Sequence, residues 1–291
     1  MKTSLVQYVR DLVSLTKPRL SSLVILTTAC GIAVAPGKES WAGLLWGLFG
    51  TALLVGAANA FNCYLERDTD AWMDRTAKRP LVTGRLSGRD ALAFSFALLA
   101  ISLGLLIRFT NPLTSVLGLV AFASYVGVYT PLKRLSMMAL FVGAIPGALP
   151  PMMGWTMVTG QVDLGAWILF AILFLWQLPH FIAISLFRKE EYEKAGLKTL
   201  PGTLGLERAK WQMLLYTSLL WLVSLLPYAR GLAGVSYFVT TIVAGLLFVC
   251  MCLAGLFNVR ELNWGRIVFL TSLVYLPTVL GIWVADLAVG G

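Results

Sequence analysis

Nine apolar stretches divide this chain, near residues 20–36, 41–61, 91–108, 113–130, 137–158, 164–187, 212–229, 234–257 and 266–288. A helix rises about 1.5 Å per residue, so roughly 20 apolar residues cross the ~30 Å hydrocarbon core of a bilayer. Each stretch reaches or approaches that length. The expected fold class is an all-α membrane protein with nine transmembrane helices, built as a single polytopic membrane domain over residues 1–291. With 58% hydrophobic and only 13% charged residues, an ordinary soluble domain is excluded.

The connections alternate in length. Gly37–Ser40, Phe109–Asn111 and the turn around Arg230 are short; Asn62–Asp90 and Arg188–Lys210 are long and charged. With the N-terminus placed in the cytoplasm, only Lys38, Arg108 and Arg230 of the 23 basic residues fall outside cytoplasmic segments. The positive-inside rule then predicts an N-in, C-out topology with both long loops, at about 62–90 and 188–210, on the cytoplasmic face. The N-terminus is polar and of mixed charge, without a small-residue cleavage site, so no signal peptide is expected. The two loops follow the second and sixth stretches, which suggests two similar halves of about four helices plus one extra. Cys30, Cys63, Cys250 and Cys252 show no metal-binding spacing and read as apolar filler.

The first long loop carries the densest chemistry. Asn62, Glu66, Asp70 and Asp74 recur at steps of four, which on a helix makes one stripe. Carboxylates on one stripe repel one another, and more strongly near lipid. A divalent cation bound with a phosphorylated ligand relieves that repulsion, and Mg²⁺ prefers hard oxygens with room left for substrate phosphates. Asp68 faces away from the stripe and reads as a solvated charge. Arg75 and Arg79 share a face until Pro80 ends the helix, and guanidinium forks suit phosphate oxygens. Positive-inside topology alone accounts for Arg85 and Arg89.

Other constellations admit two readings each. Lys189, Glu190, Glu191, Tyr192 and Glu193 open the second long loop; helical salt pairing explains much of this, and a second metal-ligating carboxylate, best placed on Glu191, is the sharper alternative. His180, the single histidine, lies in Trp176-Gln177-Leu178-Pro179-His180-Phe181 inside an apolar stretch. It reads either as a cavity-lining group or as a histidine bonded to a backbone carbonyl. Pro179 is expected to kink its helix. Tyr129-Thr130-Pro131-Leu132-Lys133-Arg134 offers two cations for phosphate or for topology. Residues 143–155 hold Pro146, Pro150 and Pro151 among three glycines, expected as a broken helix lining a cavity or as close small-residue packing.

Taken together, these residues resemble a known family. Asn62, Glu66 and Asp70 at their spacing, then Arg75-Thr76 and Arg79-Pro80-Leu81, are similar to the first motif of the intramembrane UbiA-type prenyltransferase superfamily. Within it, AANAFNCYLERD, RPLVTG, YTPLKR and WQLPHF resemble the protohaem IX farnesyltransferase (haem O synthase) family. Thr16-Lys17-Pro18-Arg19, Glu191-Tyr192, Ala195-Gly196 and Leu200-Pro201 fit the same pattern. The resemblance runs from about residue 15 to 205.

The resemblance implies nine helices around a central cavity open to lipid, in a bacterial cell inner membrane. It implies transfer of a farnesyl group from farnesyl diphosphate to a vinyl group of haem B, giving haem O, which carries a hydroxyethylfarnesyl group, and diphosphate. Haem B is then substrate, not prosthetic group. Mg²⁺ is the implied cofactor, held by Asn62, Glu66 and Asp70, with Glu191 as counterpart in a second site. Glu66 stands where superfamily members often carry Asp, and the second motif is thin beside the paired aspartates of quinone-pathway relatives. Asn62, Glu66, Asp70, Arg75 and Arg79 are the expected catalytic set. Tyr129, Lys133, Arg134, Trp176, His180, Lys189 and Tyr192 are the expected substrate contacts. The implied partners are the lipid bilayer, no nucleic acid, and haem A synthase or oxidase assembly proteins.

Two other functions fit part of the pattern. One is an intramembrane prenyltransferase for an aromatic or quinone precursor, against which WQLPHF and YTPLKR argue. The other is a secondary transporter, whose polar residues concentrate near the bilayer midplane; here the acidic clusters lie at one face beside cations.

Overall fold

The computed structural model describes residues 4–37, 39–257 and 261–290, so Lys2, Lys38 and Arg260 of the charge count lie outside the described residues. Among those residues every regular element is helical: α1 (Leu5–Leu15), α2 (Pro18–Val34), α3 (Trp41–Leu65), α4 (Arg67–Asp70), α5 (Gly88–Phe109), α6 (Pro112–Leu135), α7 (Ala139–Thr159), α8 (Leu164–Phe187), α9 (Lys189–Lys194), α10 (Leu200–Leu204), α11 (Leu206–Ala229), α12 (Val235–Ala254) and α13 (Glu261–Gly290). Seven are long and apolar enough to cross a membrane: α3, α5, α6, α8, α11, α12 and the Asn263–Ala288 part of α13. The remaining two expected stretches are helical but fall short of that measure. Helix α2 has 17 residues, and prolines and glycines dilute the apolarity of α7.

Capping sets where the helices begin. Ser40, Ser87 and Asn111 accept hydrogen bonds from the backbone N–H of Gly43, Asp90 and Thr114, opening α3, α5 and α6. Asp163 does the same for α8 through Gly165 and Ala166. Gly160, at φ 66°, closes α7.

Helix α8 is the hub. Two-thirds of its apolar window is buried, against 22–39% for the other long helices, and α7, α11 and α13 pack around it. Three polar tips inside this core find backbone acceptors, as a lipid-immersed interior favours. Trp176 Nε1 donates to Ser272 O at 2.7 Å, Tyr237 Oη to Ser224 O at 2.6 Å, and Trp283 Nε1 to Leu232 O at 2.8 Å. The outer faces of α5 and α12 present apolar residues such as Phe96, Ile101, Val239 and Leu247 outward, as lipid-facing helices do.

Helices α2 and α7 meet through glycine. A β-carbon on Gly154 would lie 2.1 Å from Thr28 O, and one on Gly31 would lie 2.1 Å from Pro151 O. The two backbones therefore touch reciprocally, which only small residues permit.

The proline-rich segment departs from its broken-helix expectation. Helix α7 runs unbroken through Pro146, Pro150 and Pro151, and α8 likewise through Pro179. The irregularity sits instead in α6, where Ser124–Tyr129 forms a π-helical turn and the Thr130 N–H donates to Tyr125 O. Pro131 follows it. Proline has no N–H to give Gly127 O, so strict α register loses a bond there anyway, and the widened turn costs less.

Candidate active site

The acidic stripe survives a break in its helix. Helix α3 ends at Leu65 and α4 begins at Arg67, with Glu66 (φ −93°, ψ 2°) between them. The Glu66 N–H still donates to Asn62 O at 2.9 Å, and the Asp70 N–H to Glu66 O at 2.8 Å. The spacing of four therefore holds, and Asn62, Glu66 and Asp70 line one cleft of about 240 Å³. Asp74 is exposed and outside the cleft, and Asp68 is exposed as expected.

Asn62, Glu66 and Asp70 each meet a cation through one oxygen. Lys17 Nζ donates to Asn62 Oδ1 at 2.9 Å, and Lys133 Nζ to Glu66 Oε1 at 2.7 Å. The Arg79 guanidinium grips Asp70 Oδ2. An ammonium only donates, so the Asn62 oxygen must face Lys17; its Nδ2 reaches Thr130 Oγ1 at 3.1 Å. Burial pushes the Glu66 carboxyl up, but the Lys133 charge and hydrogen bond outweigh it and hold Glu66 below the usual carboxylate range. For Asp70 burial prevails over the Arg79 attraction, and its carboxyl titrates higher than usual. Burial lowers the Lys17 ammonium from its ordinary value.

The π turn shapes the opposite wall. It brings Tyr125 and Tyr129 onto the cleft with ring centres 5.3 Å apart, and Lys133 Nζ lies 4.4 Å from the Tyr129 centroid. Arg75, Phe181, Tyr192 and Lys198 also line it. A second cavity of about 330 Å³ shares Leu20, Tyr125, Tyr129 and Phe181 with the cleft. It continues between α3, α6, α7 and α8 along apolar residues such as Val24, Leu54, Phe122 and Met153. The site is thus a charged mouth on an apolar chamber.

The donors fit a hard divalent cation. Asp70 Oδ1 and Glu191 Oε1 are buried and receive no hydrogen bond among the described residues. A buried carboxylate oxygen left unpartnered is costly, and a metal ion answers it. Also among the described residues, no three His, Cys, Asp or Glu side chains gather closely enough to hold a metal unaided. Mg²⁺ commonly takes one or two carboxylates and fills its shell with water and phosphate oxygens.

Several expected substrate contacts lie elsewhere. Trp176 and His180 are buried in the helix core, stacked at 4.6 Å, with His180 Nδ1 on Ser272 Oγ at 2.7 Å and its ring 4.9 Å from Phe269; neither lines the cleft or the chamber. Arg134 is exposed beyond the cleft. Lys189 is exposed and 4.0 Å from Glu193. Glu191 pairs with Arg188 at 2.7 Å beside Tyr192 and is not in the cleft wall.

Four residues of the site carry no site role in the sequence reading: Lys17 and Thr130 occur only within longer motifs, and Tyr125 and Lys198 are not singled out. Lys17 is the one non-glycine residue at positive φ (49°) among the described residues. A lysine immediately before the Pro18 that opens the first apolar helix was the available signal.

Comparison with known proteins agrees with this architecture. A profile of the UbiA prenyltransferase family matches residues 24–273. The chain is 51% identical over 266 residues to a protein of Myxococcus xanthus (strain DK1622) named protoheme IX farnesyltransferase, covering 91% of this chain and 90% of that one. It is 48% identical over 269 residues to a protein of the same name from Anaeromyxobacter dehalogenans (strain 2CP-C), covering 92% and 91%. In three dimensions it resembles a digeranylgeranylglyceryl phosphate synthase (TM-score 0.83, 17% identity, 96% and 98% covered). It also resembles a UbiA homologue of Archaeoglobus fulgidus bound to DMAPP and Mg²⁺ (TM-score 0.67, 21% identity, 96% and 99% covered). The motif spacing, the helical fold and the 250-residue profile match converge: the chain belongs to the UbiA prenyltransferase family.

Proposed function

We propose that this protein transfers a farnesyl group from farnesyl diphosphate to a vinyl group of haem B, giving haem O and diphosphate. The observation that carries this reading is the charged mouth, with its uncompensated Asp70 oxygen, opening onto an apolar chamber. The relatives named protoheme IX farnesyltransferase support the choice of donor and acceptor.

In this reading Asn62, Glu66 and Asp70 hold Mg²⁺, with Glu191 as counterpart in a second site. When bound, the metal supplies positive charge to the leaving diphosphate. Lys17, Arg75, Arg79 and Lys133 bind and orient phosphate oxygens, ready to stabilise charge that develops as the C1–oxygen bond breaks. Lys17, Arg79 and Lys133 already stand on the acidic stripe. Tyr125, Tyr129 and Phe181, shared by both cavities, wall the allylic cation and offer ring faces to it. The chamber beyond takes the farnesyl chain and keeps bulk water from the donor until the acceptor is in place. Trp176 and His180 support the wall from behind.

Nine crossings with the N-terminus and both motif loops cytoplasmic, in a bacterial inner membrane, complete the reading. The basic residues flanking the mouth favour that side.

Purified protein incubated with haem B, farnesyl diphosphate and Mg²⁺ tests the proposal, with product mass as readout. A folded Asp70→Ala protein that makes haem O at the wild-type rate overturns it.

A further inference from the structure

Two side-chain amides interrupt the apolar chamber: Asn59 on α3 and Gln177 on α8. Both are nearly buried, at 9% and 5% exposure. Their orientation is fixed by chemistry. Asn59 Nδ2 donates to Thr16 O and Ser21 Oγ, each at 3.2 Å. Gln177 Nε2 donates to Ala144 O at 3.1 Å and Leu173 O at 3.0 Å. A backbone carbonyl only accepts, so in both residues the NH₂ must face the protein.

The amide oxygens are left over. Among the described residues neither Asn59 Oδ1 nor Gln177 Oε1 receives a protein hydrogen bond. A β-carbon on Gly147 would lie 2.0 Å from Gln177 Oε1, so the glycine leaves that oxygen its place beside the chamber. The two sit at similar depth. Asn59 is three residues from Asn62, and Gln177 four from Phe181, so each lies about 5 Å of helical rise beyond the mouth. Two acceptors with no free donor, in apolar surroundings, present the negative ends of two dipoles. Such a pair favours positive charge and accepts hydrogen bonds from water.

We propose that the Asn59 and Gln177 amide oxygens, facing one chamber, position water there for addition to the carbocation left on the acceptor after farnesyl transfer. This rests on the farnesyl-transfer reading above. The vinyl π pair forms a bond from its terminal carbon to C1 of the farnesyl group, and the C1–oxygen bond breaks with its electrons leaving on diphosphate. The inner vinyl carbon is then cationic. It either loses a proton, giving an alkene, or takes a water lone pair, giving an alcohol. An amide oxygen is too weak a base to remove the proton, but it positions water well. The surplus proton of the added water passes to a diphosphate oxygen. Nothing is oxidised or reduced.

The experiment reads the ratio of alcohol to alkene product by mass, in ¹⁸O-labelled water, for wild type, Gln177→Met and Asn59→Val. The wild type is expected to incorporate label into an alcohol. Each variant is expected to shift the ratio toward alkene by roughly tenfold, the worth of one hydrogen bond. A fold defect alone lowers both products together and leaves the ratio unmoved. Gln177→Asn, which keeps the amide but retracts the oxygen, gives an intermediate ratio and decides the matter if Gln177→Met does not fold. Wild-type ratios in the folded variants, or alcohol without label, overturn the proposal. A wild-type protein that attaches no farnesyl group to haem B overturns the transfer reading instead.

Discussion

Lys133 stands on Glu66, Nζ to Oε1 at 2.7 Å, across 67 residues of chain. Both side chains are less than one-fifth exposed, so the pair is poorly screened by water. Replacing Lys133 by Met leaves a buried carboxylate without its hydrogen-bonded cation, at a cost of about 3 kcal/mol. Adding Glu66→Gln removes that charge, and the double variant is expected to regain most of the lost Tm. Activity is expected to stay down by about 10²-fold or more in both, because the cation also serves the departing diphosphate. Thermal unfolding beside turnover separates the two effects.

Among the described residues Asp70 Oδ1 receives no hydrogen bond. Mg²⁺ with farnesyl diphosphate is therefore expected to raise the Tm of the wild type, since binding to the folded state alone stabilises it. Asp70→Asn is expected to abolish most of that shift and to lower kcat by about 10²-fold. An equal shift in both proteins argues against Asp70 as a metal ligand.

The π turn ahead of Pro131 predicts an uncommon outcome. Pro131→Ala restores an N–H for Gly127 O and favours ordinary α register across residues 124–131. Tyr125 and Tyr129 then rotate relative to the cleft. Tm is expected to hold or rise while kcat/KM falls at least tenfold, a loss of about 1.4 kcal/mol of transition-state binding. A variant with unchanged kcat/KM shows that the turn does not matter to the site.

The glycine contact of α2 with α7 predicts sharp intolerance. Gly154→Ala places a β-carbon 2.1 Å from Thr28 O, a backbone atom that cannot step aside. Overpacking of this kind costs about 1–3 kcal/mol. Lower Tm in detergent is the check, with Gly104→Ala, which meets nothing within 4 Å, as the neutral control.

The stripe was legible because an i to i+4 pattern is local, and its backbone hydrogen bonds persist across the break at Glu66. Arg79 was legible for the same reason, nine residues from Asp70. Lys17 was not: it reaches Asn62 from 45 residues away through a left-handed backbone turn that no spacing announces. His180 is the converse case. A polar side chain in an apolar run suggests a cavity, yet Ser272, 92 residues later, supplies its partner inside the core. Seven helices meet the length and apolarity expected of a crossing, while α7 hides behind its prolines, which composition penalises and neighbouring helices tolerate.

The cations that neutralise the acidic stripe come from three separate places in the chain, at Lys17, Arg79 and Lys133. That sets a schedule for biogenesis. Asn62 finds its lysine already made, and Asp70 waits only nine residues for Arg79. Glu66 must wait for 67 more residues, until α6 has been synthesised and seated. Through that interval the nascent chain carries an unbalanced carboxylate at the membrane surface, so the arrival of α6 is the moment at which the first half of the protein can settle against its bilayer.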